Sequence, residues 1–314
     1  ITKLFSDIYN NAEVKKALGI EDDRELTDEE KTEIEGRKTF FVAPDASLLP
    51  ESFLEDYLSR GYEAYIVKDF RFYPMHEQVR IINETCPDSI FFFFVDSDAG
   101  VDWPKFVKYF QEQSEGQALL GVLYAKGRTP EQKSALEKYY LFDLGLQCGC
   151  IELEYNKHKN FSIIDRVMYA NQACGRRKNV RAICDAACKA SFSYKGTVIK
   201  GNISDISVSH FSFIPDPNYT FPDIPLYTKI DNILVIFKGM HFNVPANLAM
   251  QRELSNGKTL QVFLMLKSNG QPGLDEEIAE KVRTRIYTVV TDKVKDILLE
   301  KCKKWKQENP TFSV

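Results

Sequence analysis

Four cations fall within six residues of the stretch NQACGRRKNVRAICDAAC (171–188): Arg176, Arg177, Lys178 and Arg181. The 314-residue chain carries a formal net charge of −4, so this cluster is a local feature and not part of a basic surface. A charge run of this kind is often only a solvated face. Arginine adds something a lysine lacks, because its rigid fork of donors can clasp phosphate oxygens in pairs or stack on a flat ring. The spacing RxxxR, from Arg177 to Arg181, returns both side chains to one side of an extended chain or a helical turn. Further on, GNISDISVSH sets Asp205 and Ser207 one residue apart, a pure acceptor beside a hydroxyl that can donate or accept.

The remaining chemistry-bearing residues point nowhere else. The four histidines, His76, His158, His210 and His241, lie far apart. No GxSxG, P-loop or HExxH occurs, so the common hydrolase and nucleotide-hydrolysing chemistries are excluded and no enzymatic activity is expected. Seven cysteines, an odd number without an export signal, read as reduced thiols in a cytoplasmic protein. Cys148 with Cys150, and Cys184 with Cys188, lack the spacing of zinc knuckles and sit among apolar residues. No metal or resident cofactor is expected. The start, ITKLFSDIYNNAEVKKALGI, is too polar for a signal peptide and, lacking an initiator Met, reads as trimmed. Hydrophobic residues at 44% and charged residues at 27% fit a soluble globular chain, without affinity for nucleic acid or insertion into membrane.

The elements that must position these residues fall into three stretches. Residues 1–37 are expected to be a charged helical lead-in, with Thr27 and Glu30 at capping-box spacing and Gly36 as its stop. From 38 to 172, the strand-length apolar runs TFFVAP, YEAYIV, SIFFFFVD, ALLGVLYA and CGCIEL alternate with helical patterns such as LPESFLEDYLSRG, MHEQVRIINETC and WPKFVKYFQEQ. Continuous apolar strands need cover on both faces, which predicts a five-stranded, doubly wound parallel sheet, α/β in class, closed by FSIIDRVMYANQ as its fifth helix. Phe91 to Phe94 read as a buried strand and not as a base-stacking platform. From 173 to 314 the texture becomes β-rich with Lys-Gly, Gly-Asn and Asn-Gly punctuation, predicting hairpins that close into a small antiparallel barrel. Ile278, Val282, Ile286, Val289, Val290, Val294, Ile297 and Leu298 recur at helical spacing and predict one long C-terminal helix. The arginine stretch lies at the joint between the two domains.

An RxxxR just before a β-barrel, followed within it by (D/N)xSxxG, resembles the paired signature of the PilZ family of cyclic di-GMP receptors. The resemblance spans roughly 175–300. It implies a PilZ-type barrel, cyclic di-GMP as ligand, and a site formed by Arg176, Arg177, Arg181, Asp205, Ser207 and position 210. There the family has glycine and this chain has His210, which costs backbone strain or fills space a ligand needs. Asn202 and Ser204 make a second NxS that also lacks the glycine. Arginine forks suit the two phosphates and the guanine O6 and N7 edges of such a ligand, and a carboxylate suits guanine N–H groups.

The first domain resembles a response-regulator receiver, with Asp96 where that family carries its phosphorylated aspartate. Asp45 stands alone in place of an acidic pair, Tyr124 occupies the approximate place of a Ser or Thr, and no Lys-Pro follows CGCIEL. Asp96 and Asp98 are therefore expected to cap strand ends and not to be phosphorylated. The combined expectation is a cytoplasmic, non-enzymatic bacterial second-messenger effector. Cyclic di-GMP would change its domain arrangement to control an unidentified protein partner. The alternative is a degenerate PilZ adaptor that binds protein without nucleotide.

Overall fold

Phe91, Phe92 and Phe93 have no solvent exposure, and the reason is visible in the sheet they enter. The computed structural model describes residues 28–68, 73–98, 100–114, 116–217, 222–254 and 257–309, so the lead-in expected over 1–27 lies outside the described residues. Two compact units result. One holds residues 26–178 with 291 onward, and the other holds 179–290. The division falls at 178/179, a few residues beyond the expected boundary at 172/173.

The α/β unit opens with helix α1 (Asp28–Glu35), which ends at Gly36 in the left-handed conformation, φ +85°. There follow β1 (Thr39–Val42), α2 (Ser52–Ser59), β2 (Ala64–Val67), α3 (Met75–Thr85) and β3 (Ile90–Phe94). Next come α4 (Trp103–Gln113), β4 (Leu119–Ala125), α5 (Pro130–Glu137), a π-helical turn (Lys138–Asp143), β5 (Gly149–Leu153) and α6 (Lys157–Ala170). All five strands are parallel in the order β2-β1-β3-β4-β5, the doubly wound arrangement the alternating pattern predicts. Alternation along the strands sends rings to both faces. Phe41 stacks on Phe92 and on Tyr57 of α2, while Phe91 and Phe93 meet Phe110 of α4 edge to face. Helix α5 is absent from the periodic runs because none of its residues is buried; a Thr129–Gln132 capping box starts it instead.

The other unit contains β6 (Ala182–Ile183), β7 (Lys189–Tyr194), β8 (Thr197–Ile206), β9 (His210–Pro215), β10 (Lys229–Phe237), β11 (Met240–Glu253) and β12 (Thr259–Met265). Six of these close a ring of antiparallel strands in the order β8-β7-β10-β11-β12-β9, sealed by the pairing of β9 with β8. The short β6 adds to β8 outside the ring. Phe192, Phe211, Phe213 and Phe263 fill the interior. Gly201 on β8 lies so close to the Ile214 carbonyl and the Phe213 ring that a Cβ would overlap both. The long helix α7 (Glu276–Glu308) buries Ala279, Val282 and Ile286 in its first half.

Candidate functional site: a barrel rim and an anchored arginine segment

Residues 171–181 form neither helix nor strand. Their placement is nonetheless fixed at both ends by backbone bonds. In the α/β unit, the Arg176 and Arg177 N–H groups donate to the Glu33 and Ile34 carbonyls of α1 at 3.0 and 3.1 Å. This clasp requires Gly36 and Gly175 to face each other, since a Cβ on either would strike the opposing main chain. It also explains why residues 173–178 belong with the α/β unit. Above the clasp, the Arg176 Nε lies 3.6 Å from a Glu33 carboxylate oxygen, and the Arg177 Nη1 donates to Glu35 at 3.1 Å. Cys174 turns its thiol toward the Arg60 carbonyl, at 3.9 Å.

In the barrel unit, β6 pairs Ala182 with Ile206 and Ile183 with Asp205. The residue just before β6 is Arg181, so the pairing brings its guanidinium to Asp205, Nη1 to Oδ1 3.4 Å, although 24 residues separate them in sequence. A register shift between Ile203 and Asp205 kinks β8 here and re-aims the carboxylate at the rim. Both side chains keep about a quarter of their surface in solvent, 23% and 24%.

Ser207 closes the turn between β8 and β9. It is 2% exposed, and its Oγ accepts from the N–H groups of Ser209 and His210 at 3.3 and 3.1 Å. The hydroxyl therefore shapes the rim from beneath. Ser209 stands at the centre of a small network, 2.9 Å from His210 Nδ1, 3.3 Å from Ser207 Oγ and 3.2 Å from Asn179 Nδ2, which donates to it.

His210 opens β9 as a strand residue and is not among the positive-φ positions, so the expected backbone strain is absent. What remains of the departure from glycine is volume. Burial, reinforced by the Arg181 charge and opposed by Asp205, pushes the imidazole pKa down to about 4, leaving it neutral at physiological pH.

At the carboxyl end of the parallel sheet, Asp96 is engaged on both oxygens. Arg128 reaches Oδ1 and Oδ2, the latter at 3.0 Å, and the Ala125 N–H donates to Oδ2 at 2.6 Å. Burial disfavours the charged carboxylate, but the Arg128 and Ala125 donors outweigh it and hold its pKa below the usual range. Tyr124 is buried beneath the Arg128 guanidinium, which lies 5.1 Å from its ring centroid. Asp45 caps its own turn through the Ser47 N–H. Among the described residues no three His, Cys, Asp or Glu side chains stand together as metal ligands, and none of the seven cysteines is in a disulfide.

No family model matches the chain, and no curated protein matches it in sequence. Its structural neighbours include a PilZ domain. That structure, the PilZ domain with c-di-GMP of YcgR from Escherichia coli, shares 12% identity and a TM-score of 0.31 over 38% of this chain and 96% of its own. The K. pneumonia MrkH–c-di-GMP complex shares 14% identity, TM-score 0.28, over 41% of this chain and 55% of that one. For the Borreliella burgdorferi PlzA protein in complex with c-di-GMP the values are 14% and 0.23, over 42% and 48%. The chain thus spans about half the length of these last two.

Sequence reasoning missed Glu33, Glu35, Asn179, Ser209 and Arg128. Only the Gly36 and Gly175 positions carried a signal for the first two, and that signal is visible only once the segments are known to meet.

Proposed function

We propose that this chain is a non-enzymatic, cytoplasmic signalling effector that binds cyclic di-GMP. The observation that carries this reading is the Arg181–Asp205 pair on the rim of a six-stranded antiparallel barrel, with RxxxR leading into β6. Arg176, Arg177 and Arg181 supply forks for phosphate oxygens and guanine edges, Asp205 accepts from guanine N–H groups, the Ser207 turn holds the rim in shape, and His210 borders the ligand. The motif is shared between units, Arg176 and Arg177 in one and Arg181, Asp205, Ser207 and His210 in the other. A ligand engaging all of them changes the arrangement of the two, and a protein partner reads that change. The α/β unit acts as a degenerate receiver, its Asp96 occupied by Arg128 and not by a phosphoryl group.

A second reading has its own support. His210 fills the place of the motif glycine and Ser207 is committed to the turn, which favours an adaptor that binds protein without nucleotide. Titration calorimetry with cyclic di-GMP separates the two. Binding is expected, and Arg177→Ala or Arg181→Ala should each remove a charge-assisted contact of about 1.5–3 kcal/mol, weakening affinity at least about tenfold with little change in folding stability. Absence of heat with the wild-type chain would favour the adaptor. Undiminished binding by the double variant would remove RxxxR from the site.

A further inference from the structure

All three arginines assigned to the ligand already have carboxylate partners, and those of Arg176 and Arg177 come from one short helix. Glu33 and Glu35 lie more than 140 residues from Arg176 and Arg177 in sequence, and α1 delivers them together. The delivery is rigid, because the main chain at Arg176 and Arg177 is hydrogen-bonded to the same turn of α1, at the Glu33 and Ile34 carbonyls. The glycine-to-glycine contact of Gly36 with Gly175 locks the register. The two ends of each ion pair are unequally exposed. Arg176 and Arg177 keep 25% and 16% of their side-chain surface, whereas Glu33 and Glu35 keep 55% and 44%. The glutamates are thus the solvated partners, able to swing off into water while the backbone clasp keeps the arginines in place.

We propose that Glu33 and Glu35 are built-in competitors of the ligand phosphates: they occupy Arg176 and Arg177 in the free chain and set the cyclic di-GMP concentration at which it responds. The inference rests on the reading above and adds its regulation. A carboxylate and a phosphate oxygen make the same charge-assisted bonds to a guanidinium, so the arginines cannot serve both fully at once. The backbone clasp makes the competition intramolecular, and it weakens apparent affinity without touching the barrel rim.

Calorimetry on the full chain tests it, comparing wild type, Glu33→Gln/Glu35→Gln, and Glu112→Gln/Glu131→Gln, which makes the same change of net charge on α4 and α5. Two exposed ion pairs are each weak, so removing both should tighten cyclic di-GMP binding by about fivefold or more. The α4/α5 control should stay near wild type. Binding by the glutamine variant where wild type shows none would support the proposal in its strongest form. Wild-type binding with unchanged or weakened affinity in the Glu33/Glu35 variant, or equal tightening in the control, would overturn the proposal and leave cyclic di-GMP binding standing. Silence from all three chains would overturn both.

Discussion

Two Asp–Arg pairs sit at strand ends in this molecule, with nearly equal exposure and different geometry. Asp96 and Arg128 are 22% and 24% exposed, Asp205 and Arg181 24% and 23%. The first pair is bidentate and reinforced by the Ala125 N–H, whereas the second is described by a contact of 3.4 Å, at the weak limit of hydrogen bonding. Exposure does not account for the contrast; the backbone does. Parallel pairing of β3 with β4 sets the end of β4 beside the end of β3, so Ala125 and the Arg128 loop arrive at Asp96 together. Asp205 meets an arginine at the entry to a separate short strand, across a kinked β8. A bidentate, backbone-supported carboxylate is a finished structural joint, whereas the 3.4 Å contact holds Asp205 more loosely.

Acid should part the two ends most widely. With its folded pKa near 4 and an unfolded value near 6.5, His210 refuses a proton that the unfolded chain accepts. Its contribution is complete above about pH 6.5 and is lost as pH falls toward 4, amounting to about 3 kcal/mol. Asp96 has a lowered pKa, so its contribution persists until pH drops below the ordinary carboxylate value. Urea midpoints at pH 7 and pH 4.5 should therefore fall in wild type and fall much less in His210→Gln. Equal losses in both would show that His210 is not the weak point of the rim.

A smaller effect is expected from cutting the pairs themselves. Asp96→Ala leaves a part-buried guanidinium and the Ala125 N–H without their acceptor, at a cost of about 2 kcal/mol. Asp205→Ala should cost less than about 1 kcal/mol, because its 3.4 Å contact with Arg181 lies at the weak limit of hydrogen bonding. Chemical denaturation gives both numbers, and the opposite order would dissolve the distinction between joint and site. The smallest effect is none at all. Acetyl phosphate with magnesium should add no mass to the chain, because both Asp96 oxygens are taken and, among the described residues, no three His, Cys, Asp or Glu side chains stand together to hold the ion. Gain of one phosphoryl group, lost in Asp96→Asn, would mean that Arg128 lets go.

The fold was legible where neighbours in sequence share one environment. FFFF reads as a strand because each residue of β3 is buried, and Ile278, Val282, Ile286 and Val289 read as a helix because they share a side of α7, on which Val282 and Ile286 are buried. Helix α5, expected only as a crossover between strands, left no periodic run because it buries nothing and is held by its capping box. At the site, the motif residues were legible by type and spacing, but their employment was not. That Ser207 also closes the β8–β9 turn is not written in the spacing, and of the two expectations for His210, backbone strain or filled space, ordinary strand geometry leaves the second.

Sequence by itself determined the alternation that makes a covered parallel sheet, the hairpins of the barrel, and the presence of arginines, a carboxylate and a hydroxyl in PilZ-like order. Tertiary structure decided who meets whom: Glu33 and Glu35 with Arg176 and Arg177, Arg181 with Asp205, Arg128 with Asp96. The physical reason is range. Periodicity and turn chemistry act between residues a few positions apart and leave their mark in the local pattern. Ion-pair partners are chosen by strand register and by close main-chain approach, such as the one Gly36 and Gly175 permit, and no local stretch of this chain records those choices.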